Sequence, residues 1–192
     1  MKKLFLVLVW VCAAVVARAE TPDLFGLTLG KPLNLPDCAI DEETQHLYEA
    51  LGNVPKLCMQ RHLRDNTALG SMPTEMVGIA FPPAEKPLPY TDALMMGSLN
   101  QQGELVHLLV FTEATAQEQI LQQLTTRFGK PQSLNRVALS SGPNAASGAI
   151  EAKWELEPGI GVLFNGDDGA SKAGFIVIWL KSIPGFDPAA PV

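Results

Sequence analysis

Residues 104–131 read ELVHLLVFTEATAQEQILQQLTTRFGKP, an apolar strand that runs directly into an amphipathic helix with a defined stop. Leu105, Val106, Leu108, Leu109, Val110 and Phe111 make an almost unbroken run between Gly103 and Thr112. Its shortness and its β-branched and aromatic content predict a strand, since a helix normally needs more than about ten residues. Apolar side chains on both faces place that strand inside a sheet and covered on both sides. His107 interrupts the run. It is expected as a half-buried histidine bonded to a neighbour, with a ligand or a general base as the alternative.

The helix carries its own signals. Thr115 reads as the N-cap, and Glu118 three residues later completes a capping box that would satisfy two otherwise unpaired amides. Ala116, Ile120, Leu121, Leu124 and Phe128 recur on one face at helical spacing. Gly129 can take a positive φ at the end, and Pro131 prevents continuation. Arg127 and Lys130 sit where the helix dipole favours cations. The opposite face, with Gln117, Gln119, Gln122, Gln123, Thr125 and Thr126, is polar and almost uncharged. Gln119, Gln122, Gln123 and Thr126 form the candidate contact surface for a partner.

Working outward, residues 1–19 read as a secretory signal peptide. Lys2 and Lys3 form the charged start, Leu4–Ala17 the apolar stretch, and Ala17-Arg18-Ala19 a small-x-small cleavage site. The apolar stretch is shorter than the roughly 18 to 20 residues that cross a bilayer, so no membrane span is expected after cleavage. Val11 before Cys12 does not suit a lipid-attachment motif. The chain carries a formal net charge of −6, and loss of Lys2, Lys3 and Arg18 makes it more acidic still. A field of that sign repels nucleic acid and anionic head groups. An exported chain left with only Cys38 and Cys58 is expected to form one disulfide between them. Closing a loop of about 20 residues is worth about 3 kcal/mol on chain-entropy grounds.

Along the chain, Phe25–Gly30 reads as an edge strand or an extended entry, with Pro32 and Pro36 limiting it. Asp41 would cap a short helix from Glu42 to Leu51, with an apolar stripe of Leu47, Tyr48 and Leu51 too thin to hold it without the disulfide. Residues 61–75 show no period and read as loop. Met76–Phe81, Ala93–Leu99 and the strand beginning at Glu104 follow, the last two joined by the turn Asn100–Gly103. Leu139–Gly148 reads as a flexible loop. Ile150, Ala152, Trp154 and Leu156 alternate with Glu151, Lys153 and Glu155, a half-buried antiparallel strand. Ile160–Phe164 and Gly174–Leu180 complete a meander, and residues 187–192 form a disordered tail. The expected fold is a single α+β domain over residues 20–186. It has a curved antiparallel sheet of about five to six strands, one long helix packed on it, and a short disulfide-tethered N-terminal helix.

No catalytic constellation is present at recognisable spacing: no Gly-x-Ser-x-Gly, Ser-x-x-Lys, His-Glu-x-x-His or phosphate loop. Asn165, Asp167 and Asp168 outline a calcium loop only in part, because Ile176 stands where a bidentate Glu belongs. Glu151, Glu155 and Glu157 alternate with Lys153 on a wet face, which does not raise a carboxyl pKa for acid catalysis. His46, His62 and His107 are scattered and lack the spacing of a metal site. No catalytic residue, metal or cofactor is therefore expected.

Phe25-Gly26-Leu27-Thr28-Leu29-Gly30-Lys31-Pro32, running to Pro36-Asp37-Cys38, resembles the start of small exported proteobacterial proteins of unknown function. The stop Phe128-Gly129-Lys130-Pro131, after a Gly103-Glu104-Leu105-Val106 strand start, is similar to their middle section. The combination of helices with an antiparallel sheet is also similar to small envelope proteins of the outer-membrane assembly lipoprotein type and to β-lactamase inhibitor domains. The chain departs from the former in lacking a lipid-attachment cysteine. The resemblance brings no catalytic motif; with the signal and the missing catalytic constellations, the expectation is a non-catalytic periplasmic or secreted protein that binds another protein, such as an envelope component. An immunity or inhibitor protein that blocks a toxin or cell-wall enzyme is the alternative, and an unrecognised hydrolase the second.

Overall fold

A computed structural model of the chain describes residues 24–39, 50–61, 75–140, 143, 145–157, 159–169 and 172–183. The stretches expected as a secretory signal and as a disordered tail, most of the expected Glu42–Leu51 helix, and residues 62–74 of the expected loop all lie outside the described residues. Of the span expected as that helix only Ala50 and Leu51 are described, and both are helical.

Among the described residues eight strands form one sheet: β1 (Cys58–Arg61), β2 (Glu75–Ala80), β3 (Thr91–Leu99), β4 (Leu105–Glu113), β5 (Ser133–Val137), β6 (Ala149–Leu156), β7 (Ile160–Asn165) and β8 (Ala173–Leu180). The helix α1 (Gln117–Phe128) stands between β4 and β5. Neighbours run β1-β2-β3-β4-β8-β7-β6-β5, every pair antiparallel. The first four strands form a meander. The chain then crosses with α1 to the far edge and meanders back until β8 lands against β4. The stretch 104–131 is therefore the hinge of the topology, with its strand at the centre and its helix carrying the crossover.

The sheet is larger than its sequence pattern predicts, and the two additional strands are its edges. β1 is only four residues, Cys-Met-Gln-Arg, with no period to read. Its extension depends on pairing with β2 and on the disulfide. β5, Ser-Leu-Asn-Arg-Val, has two apolar residues, Leu134 and Val137, and both are exposed (54% and 41%). Hydrophobic periodicity reports burial, and a strand that buries almost nothing leaves no such signal.

The capping box is not formed. Ala114–Ala116 make a 3-10 turn, Ala116 stands at the N-cap, and no side chain caps the helix. Glu118 instead pairs with Arg136 on β5, so its carboxylate is drawn to the sheet and not back to the helix start. Gln117, expected on the outer face, is buried. Its amide donates to Gly148 O (3.0 Å), and its oxygen accepts from the Ile150 N–H (2.8 Å), which stitches the helix start to β6. The apolar stripe is as expected. Ala116, Ile120 and Leu124 are buried, and Leu121 and Phe128 pack at the margin. Gly129 ends the helix at φ 81°, with its N–H donating to Thr125 O (2.9 Å).

One face of the sheet, with Val77, Ile79, Met95, Leu108, Val110, Ile150, Trp154, Val162, Phe164, Ile176 and Ile178, meets α1 and the N-terminal segment in the main core. Gly30–Leu33 extend along the start of β4: Gly30 N–H donates to Leu105 O (2.7 Å), and Leu105 N–H to Lys31 O (2.9 Å). Among the described residues, the opposite face is covered at its β1–β3 end. There the Cys38–Cys58 disulfide forms (Cα–Cα 4.9 Å) and packs with Leu51, Val54, Ala80 and Leu94. No helix of the described residues is long and apolar enough to cross a membrane.

Candidate functional site

Strand period places alternate residues on opposite faces. On β4 and β8 the residues turned away from α1 are His107, Leu109, Phe111, Phe175, Val177 and Trp179. The register sets Phe111 against Phe175, Leu109 against Val177, and His107 against Trp179. On the β7 side Asn165, Gly161 and Leu163 continue these rows, and on the β3 side Met96 lies opposite Leu109. An apolar band thus crosses the middle of the sheet on the face the helix does not cover. Phe111 is 36% exposed and Phe175, Trp179, Leu109 and Met96 are half-buried, while Val177, Leu163 and His107 among them are buried.

Trp179 is laid down on the sheet by a glycine. A Cβ built on Gly161 would come within 2.3 Å of the indole, so the ring lies where a side chain would otherwise stand. Charges surround the band. Asp92 and Glu113 flank it at one end, and Glu151, Lys153 and Glu155 line the β6 side, with Glu155 paired to Lys181 (2.8 Å). The rim is mostly anionic around an aromatic and aliphatic centre.

His107 is buried more deeply than the half-buried histidine expected, at 5% exposed on the face turned away from α1. Ser98 Oγ lies 3.5 Å from its Nδ1, and Ser98 is itself buried. Burial holds the His107 pKa well below the ordinary 6.5, at about 4. The unfolded chain therefore takes up a proton below pH 6.5 that the folded chain refuses until about pH 4. The stability from keeping His107 neutral is whole above pH 6.5 and is lost as pH falls towards 4, by about 3 kcal/mol at most. Urea midpoints at pH 7 and pH 4.5 are expected to show this loss in the wild type and a smaller one in His107→Gln. Equal acid sensitivity in both would remove His107 from the account.

The helix surface is less suited to apolar contact. Gln119, Gln122 and Thr126 are exposed, whereas Gln123 is half-buried with its side-chain oxygen inside. The Thr126 hydroxyl donates to Gln122 O (2.9 Å), within its own helix. In the 165–169 turn, the Asp167 N–H donates to Asn165 Oδ1 (3.2 Å) and the Gly169 N–H to Asp167 Oδ1 (2.8 Å), which is turn geometry. No group of three metal-ligating side chains occurs among the described residues.

Phe111, Phe175 and Trp179 were visible in the sequence only as members of apolar runs. Their period-two spacing shows that each shares a face with its fellows, but not that α1 and the N-terminal segment pack on the other face. No protein-family model, curated protein or solved structure matches the chain, so its function is read from its own geometry.

Proposed function

We propose that this is an exported, non-catalytic protein of the periplasm that acts by binding another protein, such as an envelope component, through the face of its sheet turned away from α1. The observation that carries this reading is the band of Phe111, Phe175 and Trp179 with Leu109, half-exposed at the sheet centre and ringed by carboxylates. An apolar centre with a polar rim is the anatomy of a protein interface, and aromatic side chains dominate its energetics. The anionic rim favours a partner with basic residues around an apolar anchor. The Cys38–Cys58 disulfide fits an oxidising compartment. The Phe25–Cys38 stretch supports kinship with small exported proteins.

Affinity capture from periplasm with wild-type protein, Phe111→Asp and Phe175→Asp tests the reading. Loss of an aromatic anchor costs about 2 kcal/mol or more, so each variant should retain its partner roughly thirtyfold less well. Gln119→Ala and Gln122→Ala should bind as wild type. If the captured protein is an enzyme and its activity falls on binding, the chain is an inhibitor or immunity protein. Loss of binding in the glutamine variants alone would move the site to the helix. A protein that captures nothing and turns over esters or wall fragments would be a hydrolase.

A further inference from the structure

The two edges of the sheet are treated differently. Along β1, residues 36–38 lie beside the strand: Cys38 N–H donates to Met59 O and Met59 N–H to Pro36 O, both at 2.9 Å, and the disulfide holds the segment in place. Along β5, no strand of the described residues pairs with the outer side.

The direction of the β5 backbone groups follows from its inner bonds. Lys153 and Glu151 stand opposite Ser133 and Asn135, and the next position towards the turn, Glu155, falls beside Pro131 and Gln132. Pro131 has no N–H to give, and the Gln132 side chain substitutes for it. Its amide donates to Glu155 O (3.2 Å), and its oxygen accepts the Glu155 N–H (2.8 Å). On its other side β6 bonds β7, with the Gly166 N–H on Ile150 O (2.8 Å). Odd-numbered residues of β6 therefore bond towards β5, and Ser133, Asn135 and Val137 bond inward. The N–H and C=O groups of Leu134 and Arg136 point away from the sheet.

Among the described residues that edge has no covering strand, and β5 itself has no lysine, proline or bulge, devices that act against strand addition. Its one charge, Arg136, is drawn over α1 by Glu118. Leu134 on the helix side and Val137 on the open side are both exposed, so each face of the strand offers an apolar side chain for a neighbour to cover.

We propose that β5 pairs with β5 of a second copy of this chain, antiparallel and centred on Asn135, which joins two sheets into one. Centring there sets Leu134 against the second copy's Arg136 and uses all four outward groups of each strand. Centring on Arg136 would oppose two guanidinium groups. Centring on Leu134 would need the Gln132 N–H, which already donates to Lys153 O (2.9 Å). In the chosen register the arginine stem lies over the exposed Leu134, and the two Asn135 amides meet on the other face. Five residues a side bury less than the roughly 1,200 Å² of a stable interface, so the dimer is weak and depends on concentration.

Sedimentation and amide exchange of the purified protein from micromolar to millimolar concentration test the pairing. A dimer should grow in, and the Leu134 and Arg136 amides should slow by about tenfold or more while Asn135, bonded inward in both states, changes little. Leu134→Pro removes one outward N–H, a change an edge strand tolerates. It should leave the far-UV spectrum unchanged and abolish the dimer. If that variant does not fold, the wild-type exchange pattern alone decides. A monomer at every concentration, or a dimer that forms without slowing those two amides, overturns the proposal.

Discussion

Trp154→Ala is expected to lower stability by about 3–5 kcal/mol, the usual cost of removing a fully buried large aromatic. Trp154 is 1% exposed on the helix-facing side of β6. Its indole N–H donates to Gly129 O (2.8 Å), the residue that ends α1, and its ring meets Phe128 edge-on at 6.3 Å. One side chain thus fixes both the end of the helix and its distance from the sheet. Trp154→Phe keeps most of the apolar burial and loses the hydrogen bond. Because Gly129 is exposed and its carbonyl can turn to water, that change should cost about 1 kcal/mol. Urea unfolding followed by far-UV circular dichroism separates the two. A Trp154→Ala loss no larger than that of Trp154→Phe would show that the helix is held elsewhere.

Removal of the disulfide is the second large effect. Cys38→Ala with Cys58→Ala releases a 20-residue separation and should cost about 3 kcal/mol through the unfolded chain. For a chain of this size that lowers the melting temperature by roughly 6–12 °C. The loss is also local, because the bridge holds residues 36–38 along the outer edge of β1 and closes a small cluster with Leu51, Val54 and Ala80. The Met59 and Cys38 amides should accordingly exchange faster in the variant. Thiol titration of native protein from an oxidising compartment should find neither Cys38 nor Cys58 free. Two reactive thiols there would contradict the bridge.

The features that could be read from the sequence were those whose cause is local or has only one solution. The apolar run Leu105–Phe111 is a strand inside the sheet, between β3 and β8, as its length and its β-branched and aromatic content imply, although Phe111 on its second face is 36% exposed and not covered as expected. Ile150, Ala152 and Trp154 are buried while Lys153 and Glu155 face solvent, as strict alternation requires. Gly129 and Pro131 stop the helix through backbone constraints of their own. Cys38 had one partner available once Cys12 was assigned to the leader. The features that misled were those with competing partners. Thr115 and Glu118 have the spacing of a capping box, yet Arg136, eighteen positions along the chain, takes the carboxylate. Gln117 looks like a solvated helix residue until the sheet brings Gly148 and Ile150 within reach of both ends of its amide.

The candidate site divides in the same way. Period and composition alone determined that Phe111, Phe175 and Trp179 belong to apolar strands and which neighbours share their face. Only the tertiary structure decided that β8 returns to lie beside β4, that α1 and the N-terminal segment both settle on one side, and that β5 is the last strand of the sheet among the described residues. Alternation and capping act over a few residues. Strand order and the choice of face are set by which distant surfaces bury the most apolar area together, and no single stretch of the chain carries that information.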